Sequence, residues 1–199
     1  MLYLASQSPR RKELLRKMRI RFRVVPSSYR ERVKPGVPPS KLVIEHARGK
    51  AKKGDVPPGA RWVLGADTVI YCRDRILGKP KSYSDAFRMI RWLSGENQYV
   101  YTGVALLDLK SGKMYQGYLK TKTRVKNLSD QEIREYLKRV NPLDKAGGCA
   151  IEQKPIIASR VRGSYTNILG LPVELVKKIL KQADLASVPK SKKLLTRHR

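Results

Sequence analysis

The apolar positions along the chain follow two spacings, one typical of strands and the other of helices. Residues 2–5 are an apolar run that predicts a buried strand, and residues 20–25 alternate apolar and basic side chains, which predicts a half-exposed strand. The apolar segment 62–71 predicts a strand that is interrupted at Gly65-Ala66-Asp67. Further strands are predicted at residues 76–77, 99–109, 114–125 and 156–162, with a hairpin turn at 110–113.

Helical spacing marks the segments between these strands. Ser82 and Ser129 each stand three residues before an acidic residue, which is the spacing of a capping box. Ser8 is placed to cap a helix that has Pro9 in its first position. Helices are therefore predicted over residues 10–18, 40–53 and 172–183, and also between Ser82 and Gly95 and between Ser129 and Asn141.

The order of these elements predicts the fold class. Short strands and helices come first, long antiparallel strands follow, and no internal repeat or clear linker divides the chain. We therefore expect an α/β fold with one elongated mixed sheet, flanking helices and a cleft. A single domain is expected over residues 1–183, followed by a basic tail at residues 184–199.

Charge is the most unusual feature of the composition. The 199 residues include 44 Lys and Arg against 16 Asp and Glu, which gives a formal net charge of +28. This excess predicts an anionic partner, a description that covers nucleic acid, nucleotides and anionic membrane. No apolar run has the length of a membrane span and the start is too short for a signal peptide, so we expect a cytoplasmic protein. Two cysteines, Cys72 and Cys149, make no disulfide framework.

The turn at residues 6–11, Ser-Gln-Ser-Pro-Arg-Arg, is the first candidate binding element. It lies between a predicted strand and a predicted helix, where free backbone N–H groups favour an anion. Two serine hydroxyls and two arginines around that point would hold a phosphate chain. An ordinary capped helix with two exposed arginines explains the same residues.

Two acidic residues are candidates for metal binding or catalysis. Asp67 follows a glycine inside an apolar strand, where an unpartnered carboxylate would be costly to bury. A metal ion or a water awaiting activation explains it, and so does an aspartate that caps a strand end. Glu31 would join Asp67 at a divalent ion, or would form a surface ion pair with the arginines around it.

Two lysines and one segment of small residues complete the candidates. Lys79 stands in the tight loop Leu-Gly-Lys-Pro at residues 77–80, which would aim its side chain, whereas Lys50 has no such context. Taken singly, either lysine is more often a solvated charge. Small residues within the segment 144–152 allow a flat ligand or another backbone to approach closely, or form a packed strand connection.

Taken in order, these segments resemble the sequence blocks of the Maf family. Residues 4–15 are similar to the family's opening signature, and Gly-Ala-Asp-Thr-Val at residues 65–69 is similar to its second block. The later blocks are matched by residues 77–80, by 93–95 with 101–104, by 144–147, and by 163–165 with 170–172. The resemblance spans about residues 2–180.

The resemblance implies a fold shared with inosine triphosphate pyrophosphatases, with two lobes about a long sheet and the substrate between them. It implies hydrolysis of a nucleoside triphosphate to monophosphate and diphosphate, with a divalent metal that is usually Mg²⁺ or Mn²⁺. Asp67 would be the general base and, with Glu31, would hold the metal. The residues that neutralise the phosphates would be Ser8, Arg10, Arg11, Lys50 and Lys79. Family members are commonly homodimers.

The resemblance also bears on the base. In the branch that acts on dTTP and UTP, base preference is set at the positions of Arg10, Thr68 and Glu152, and the last of these is usually glutamine. A glutamine side chain both donates and accepts hydrogen bonds, whereas an ionised glutamate only accepts them. The sister branch of the family, which acts on 7-methyl-GTP, carries a glutamate at this position. Because that branch lacks the Pro-Arg-Arg and Gly-Ala-Asp-Thr forms, we expect the dTTP/UTP type, with modified nucleotides as further substrates. Gln98 stands where the family often has histidine.

Two other classes of function stay open from the sequence. A basic module that binds RNA or DNA agrees with the charge, although the chain has no aromatic ribonucleoprotein motif. A regulatory relative that binds nucleotide to influence cell division would show no turnover. For the excess charge outside the blocks, we expect weak nonspecific RNA contact or adaptation to a salty or hot cytoplasm. No membrane partner is expected.

Overall fold

The computed structural model describes residues 1–33, 36–150 and 157–185, and within these ranges seven strands form one mixed sheet. The strands are β1 (Leu2–Leu4), β2 (Phe22–Val24), β3 (Trp62–Cys72), β4 (Arg75–Leu77), β5 (Asn97–Asp108), β6 (Met114–Val125) and β7 (Ala158–Arg162). The helices are α1 (Pro9–Lys17), α2 (Pro39–Lys52), α3 (Tyr83–Leu93), α4 (Asp130–Arg139), α5 (Tyr165–Ile168) and α6 (Val173–Gln182), with a 3₁₀ turn at Ala146–Gly148. The predicted α/β class with flanking helices is confirmed.

The strands of the sheet run in the order β2-β1-β3-β5-β6-β7. The pairs β2–β1 and β1–β3 are parallel, and the pairs along β3, β5, β6 and β7 are antiparallel. One edge of β3 pairs with β1 at residues 62–64 and with β4 at residues 70–72. Among the described residues, no strand covers this edge between those two stretches, so side chains reach the middle of β3 there.

Apolar side chains form a cluster at each end of the long strands. One cluster packs α1 and α6 against the start of β3, and it includes Leu4, Leu15, Leu64, Leu106 and Ile179. The other packs α3 and α4 against the end of β3 and the start of β5, and it includes Ile70, Ile90, Val100, Ile133 and Tyr136. The middle of β3 lies between the two clusters, which leaves room there for a cleft.

Helix α2 lies directly on the centre of the sheet because two glycines remove the side chains beneath it. A Cβ atom built on Gly65 would lie 2.1 Å from the carbonyl oxygen of Ala47, and one on Gly103 would lie 2.2 Å from that of Val43. Only glycine permits such an approach of backbone to backbone. Gly103 pairs with Asp67 in the β3–β5 register, so α2 passes over the aspartate.

Several boundaries differ from the sequence predictions. The predicted interruption of β3 at Gly65-Ala66-Asp67 is wrong, because the strand pairs with β5 from Trp62 to Tyr71 without a break. Gly65 makes room for α2 and does not bend the strand. Ser8 is the N-cap of α1 but its side chain makes no capping bond. α5 and the 3₁₀ turn were not predicted.

The capping boxes also differ from one another. Ser129 and Glu132 form the predicted reciprocal box at α4. At α3, Ser82 accepts from the N–H of Asp85, whereas the Asp85 carboxylate accepts from the N–H of Lys81. The predicted start of the last strand at residue 156 and most of the basic tail lie outside the described residues. Of the helices that the structure describes, none has the length and apolar character to cross a membrane.

Candidate active site

A cleft opens where the turn before α1 faces the uncovered middle of β3. The space between its atoms, including the open mouth, is about 970 Å³. Eight of the residues predicted as functional line it, namely Ser8, Arg10, Arg11, Glu31, Lys50, Asp67, Thr68 and Lys79. The ninth, Glu152, lies outside the described residues. Side chains that are far apart in the sequence therefore meet in one cavity.

Asp67 is buried in the wall of this cleft and is nonetheless ionised. Its exposed fraction is 2%. Oδ1 accepts from Lys50 Nζ at 2.6 Å, and Oδ2 faces His46 Nδ1 at 3.0 Å. Burial raises the pKa of the Asp67 carboxyl. The hydrogen bond from His46 and the charges of Lys50 and Arg11 outweigh this effect, and the net pKa lies well below its ordinary value. The carboxylate is thus a fixed negative charge among cations.

The ammonium group of Lys50 lies between two carboxylates. Its Nζ atom is 2.6 Å from Asp67 Oδ1 and 2.5 Å from Glu31 Oε1, and it also donates to the carbonyl oxygen of Ala66 at 3.3 Å. Lys50 is therefore not a solvated charge. Glu31, whose side chain is 43% exposed, pairs with Lys50 and stands beside Asp67, and its role in metal binding stays a prediction.

His46 is a site residue that the sequence reasoning missed. It is 2% exposed, with Nδ1 against Asp67 Oδ2 and Nε2 at 3.1 Å from the carbonyl oxygen of Arg32. A carbonyl oxygen and an ionised carboxylate only accept, so both ring nitrogens donate and the ring carries a charge. Burial lowers the pKa of His46, but the hydrogen bond and charge of Asp67, with the Arg32 carbonyl, raise it above its ordinary value.

A divalent cation fits the chemistry of these side chains. In the described part of the chain, Glu31 and Asp67 each offer a carboxylate oxygen, and a ring nitrogen of His46 lies within 4.8 Å of both, although its proton leaves no lone pair for a metal. Carboxylate oxygens are the ligands that Mg²⁺ and Mn²⁺ prefer. Lys50 stands between the two carboxylates, so a cation held by both would compete with its ammonium group.

Arg11 connects the turn to the sheet. The residue is buried, and its guanidinium donates to the carbonyl oxygens of Gly170 and Ala66 at 2.8 and 2.9 Å. It also donates to Ser6 Oγ at 3.1 Å and to Thr68 Oγ1 at 3.0 Å. Burial lowers the pKa of Arg11. Protein acceptors surround this side chain, so it is not the exposed arginine of the alternative interpretation. It orders the turn at residues 6–11, which the sequence predicts to face phosphate and which is called the phosphate-facing turn below.

Arg10 is held from the opposite wall of the cleft. Its Nη2 atom donates to the carbonyl oxygen of Asp144 at 3.2 Å. The neighbouring Lys145 is buried, and its Nζ atom donates to Asp144 Oδ1 at 2.6 Å and to the carbonyl oxygen of Asn141 at 2.8 Å. The segment after α4 therefore supports an arginine from α1.

Lys79 has the most freedom of the cationic side chains in the cleft. Within the ranges that the structure describes, its ammonium group makes no hydrogen bond or ion pair. Burial lowers its pKa, Glu31 raises it, and the nearby charges of Arg11 and Lys50 lower it, with a net decrease. A cation that desolvation and like charges disfavour gains from the arrival of an anion.

The remaining wall of the cleft is mostly apolar. Ile70, Val100, Ala146, Cys149 and Ile168 line it together with Gln98. Tyr136 on α4 holds the segment around Cys149 in place. The Tyr136 hydroxyl donates to the carbonyl oxygen of Gly148 at 3.0 Å and accepts from the N–H of Ala150 at 2.6 Å. Burial raises the pKa of the Cys149 thiol to about 12, so this sulfur is neutral and no nucleophile.

Comparison with known proteins gives the family. A family model described as Maf-like protein matches residues 1–183. The chain belongs to the Maf family. It is 42% identical over 173 residues to the dTTP/UTP pyrophosphatase of a Geobacter species, covering 86% of this chain and 90% of the relative. It is 38% identical over 182 residues to that of Elusimicrobium minutum (91% and 97%), and 37% identical over 187 residues to that of Methanosarcina barkeri (93% and 95%).

The family resemblance stated from the sequence blocks is therefore confirmed. Five of the six blocks of this Maf protein contribute to one cavity: the first supplies the turn before α1, the second Asp67, the third Lys79, the fifth Asp144 and the sixth Gly170. The roles assigned to individual residues stay predictions. His46 lies four residues before Lys50 on α2, and this spacing puts both on one helix face, which is the signal that would have identified it.

Proposed function

We propose that this Maf protein hydrolyses nucleoside triphosphates between the α and β phosphates, giving a monophosphate and diphosphate, with dTTP and UTP as preferred substrates. The observation that carries the proposal is the buried, ionised Asp67 among the cations of the cleft. The relatives reported above are named for the same reaction and the same two substrates.

The phosphate chain is proposed to lie along the cationic end of the cleft. A triphosphate carries about four negative charges, and enzymes that break phosphoanhydrides act mainly by positioning and by neutralising charge. Ser8, Arg10 and Lys79 line the open part of the cleft, and we assign them direct contacts with phosphate oxygens. Arg11 adds positive charge while its hydrogen bonds keep the turn in place. Lys50 is assigned to the phosphates when it leaves Glu31.

The bond-breaking step is assigned to water and Asp67. The water oxygen bonds to the α phosphorus, the bridging oxygen leaves with the diphosphate, and the Asp67 carboxylate accepts the proton that water loses. His46 and Lys50 hold the carboxylate ionised and in a fixed orientation. Asp67 and Glu31 would hold Mg²⁺ or Mn²⁺, which supplies positive charge at the phosphates and makes nearby water more acidic.

The base is proposed to occupy the apolar end, with its preference set at Arg10, Thr68 and Glu152. Thr68 Oγ1 accepts from Arg11 Nη2 and lies 3.0 Å from Thr102 Oγ1, so its orientation depends on the phosphate-facing turn. This link between the residues proposed to contact the base and those proposed to contact the phosphates supports a substrate that binds at both ends of the cleft.

A screen of diphosphate release tests the proposal. The wild-type protein is assayed with dTTP, UTP, CTP, GTP, ATP and 7-methyl-GTP, each with Mg²⁺ and with Mn²⁺. We expect the fastest release from dTTP and UTP and slower release from 7-methyl-GTP. Faster hydrolysis of 7-methyl-GTP would assign the chain to the other substrate type. No turnover above background with any nucleotide would contradict the enzyme and favour a regulatory nucleotide-binding protein.

A second candidate function, weak binding of single-stranded nucleic acid, is favoured by one surface. Lys120 Nζ lies 4.0 Å from the ring centre of Tyr99 and 5.7 Å from that of Tyr101, and Tyr101 stacks on Tyr118, which is 45% exposed. Lys122 Nζ lies 5.9 Å from the ring centre of Tyr99. Exposed aromatic rings beside cations form surfaces on which bases stack and phosphates pair.

Charge reversal on this surface tests the second candidate. The double variant K120E/K122E should weaken the binding of a uridine oligonucleotide, measured by fluorescence anisotropy at low salt. The variant K177E/K178E changes the charge equally on the exposed face of α6 and should bind more strongly than K120E/K122E. Equal loss in both would assign the binding to net charge alone. The homodimer and the cytoplasmic location stay predictions from the sequence.

A further inference from the structure

Gln98 is a buried amide with an unpaired acceptor. The residue is on β5 with an exposed fraction of 1%, and among the described residues its Oε1 atom has no hydrogen-bond partner. An unpaired buried carbonyl group destabilises a fold, and native proteins rarely retain one. Such an atom at the wall of a cleft points to a ligand that completes its hydrogen bonds.

The surroundings of Gln98 suit a flat heterocycle. Ile70 and Val100 face each other across the β3–β5 register, and Gln98 follows the same face of β5 two residues away. Cys149 and Ile168 line the cleft beside them and belong to the same apolar cluster. Ligand cavities of this kind have apolar walls for a ring and a few polar groups that fix its orientation. The phosphate-facing turn is at the other cluster.

We propose that the side-chain amide of Gln98 hydrogen-bonds the edge of the nucleotide base in this cleft. This inference rests on the proposed function and extends it to base recognition. Oε1 would accept from the N3–H of uracil or thymine while Nε2 donates to the adjacent carbonyl oxygen. A reversed amide pairs with cytosine in the same way, so Gln98 selects an edge with adjacent donor and acceptor, and other residues choose among the pyrimidines.

The test compares two ligands that differ only by the base. Binding of UMP and of ribose 5-phosphate is measured by calorimetry for the wild type and for Gln98→Met, which keeps the side-chain length and removes both amide atoms. Gln116→Met, at an exposed glutamine on β6, is the matched control. Because two hydrogen bonds to a base edge are lost, we expect the Kd of Gln98→Met for UMP to rise about 10- to 100-fold. Its Kd for ribose 5-phosphate should not change.

Thermal unfolding supplies a second, independent reading. Gln98→Met replaces an unpaired carbonyl by apolar atoms, so its Tm should equal or exceed that of the wild type. A large drop in Tm, or an equal loss of affinity for both ligands, would assign Gln98 to the fold and overturn the proposal. Unchanged UMP affinity in Gln98→Met would also overturn it. Absence of nucleotide hydrolysis by the wild type would contradict the proposed function alone, because the UMP comparison does not depend on turnover.

Discussion

At the scale of single residues, the cleft depends on how Asp67 is held. Two cations donate to its two oxygens from one helix, so the carboxylate has a fixed orientation as well as a fixed charge. His46 is not among the residues that line the cleft, so it contacts Asp67 from behind the cleft wall. We interpret it as a positioning residue that acts through Asp67.

Replacement of His46 separates positioning from packing. His46→Leu removes the donor to Asp67 Oδ2 and fills the space, and we expect kcat to fall about 10-fold or more, as is usual when the partner of a functional carboxylate is lost. His46→Asn keeps an N–H close to the Nδ1 position and should recover most of that activity. Two quantities are measured for each variant: kcat for UTP, and the Mn²⁺ concentration that gives the half-maximal rate. Equal activity in both variants would contradict a positioning role.

The raised pKa of His46 predicts a pH-dependent contribution to stability. A group whose pKa is higher in the folded state stabilises the protein fully below its unfolded pKa, near the ordinary value of 6.5, and loses this contribution as the pH rises through the folded pKa. The difference in Tm between the wild type and His46→Asn should therefore narrow as the pH is raised from about 6 into the alkaline range. A constant difference over that range would show that the charge of His46 does not stabilise the fold.

At the scale of elements, the close packing of α2 on the sheet places His46 and Lys50 over β3. Gly103 is a contact with little tolerance, because a methyl group there would meet the backbone of Val43. Gly117 gives a contrast on β6, since a Cβ atom there would meet the end of the flexible Leu175 side chain at 2.9 Å.

The pair of glycine variants tests this packing. Gly103→Ala should lower the free energy of unfolding by about 1–3 kcal/mol, the usual cost of overpacking. It should also lower the kcat of the protein that remains folded, because α2 is displaced from Asp67. Gly117→Ala should change both quantities little. Urea unfolding and UTP turnover provide the measurements. Wild-type activity in Gly103→Ala would show that the position of α2 is not critical.

The sequence predicted elements with strong periodicity and caps, such as α4 with its capping box and the hairpin of β5 and β6. It failed where a local pattern has a tertiary cause. Gly65 indicated a break in β3, although its small size serves contact with α2. The four residues of α5 are too few for a periodic pattern.

Prediction of the site had a similar limit. The candidate residues became persuasive only as ordered blocks, since each one alone agreed equally well with a structural role. The spacing of four places His46 on the same face of α2 as Lys50, but its contact with Asp67 spans 21 positions and depends on where α2 crosses β3. The unpaired amide of Gln98 depends likewise on what the folded chain leaves beside it.

At the scale of the whole molecule, the net charge of +28 acts on every anionic ligand. A basic protein attracts a triphosphate over distances that salt shortens, since the screening length falls from about 10 Å at 0.1 M to about 3 Å at 1 M. We expect KM for UTP to rise several-fold between these salt concentrations, with a smaller change in kcat. Inhibition by uncharged uridine is the control and should depend little on salt. A KM independent of salt would limit the role of the charge to other partners.

The central claim is that Asp67 removes the proton from the attacking water. Diphosphate release from UTP by Asp67→Asn, measured with the same metal as the wild type and beside the affinity for UMP, tests it most directly. We predict a fall in kcat of at least about 100-fold, within the range for loss of a general base, with UMP affinity within a few-fold of the wild type. Turnover by Asp67→Asn close to that of the wild type would contradict the account.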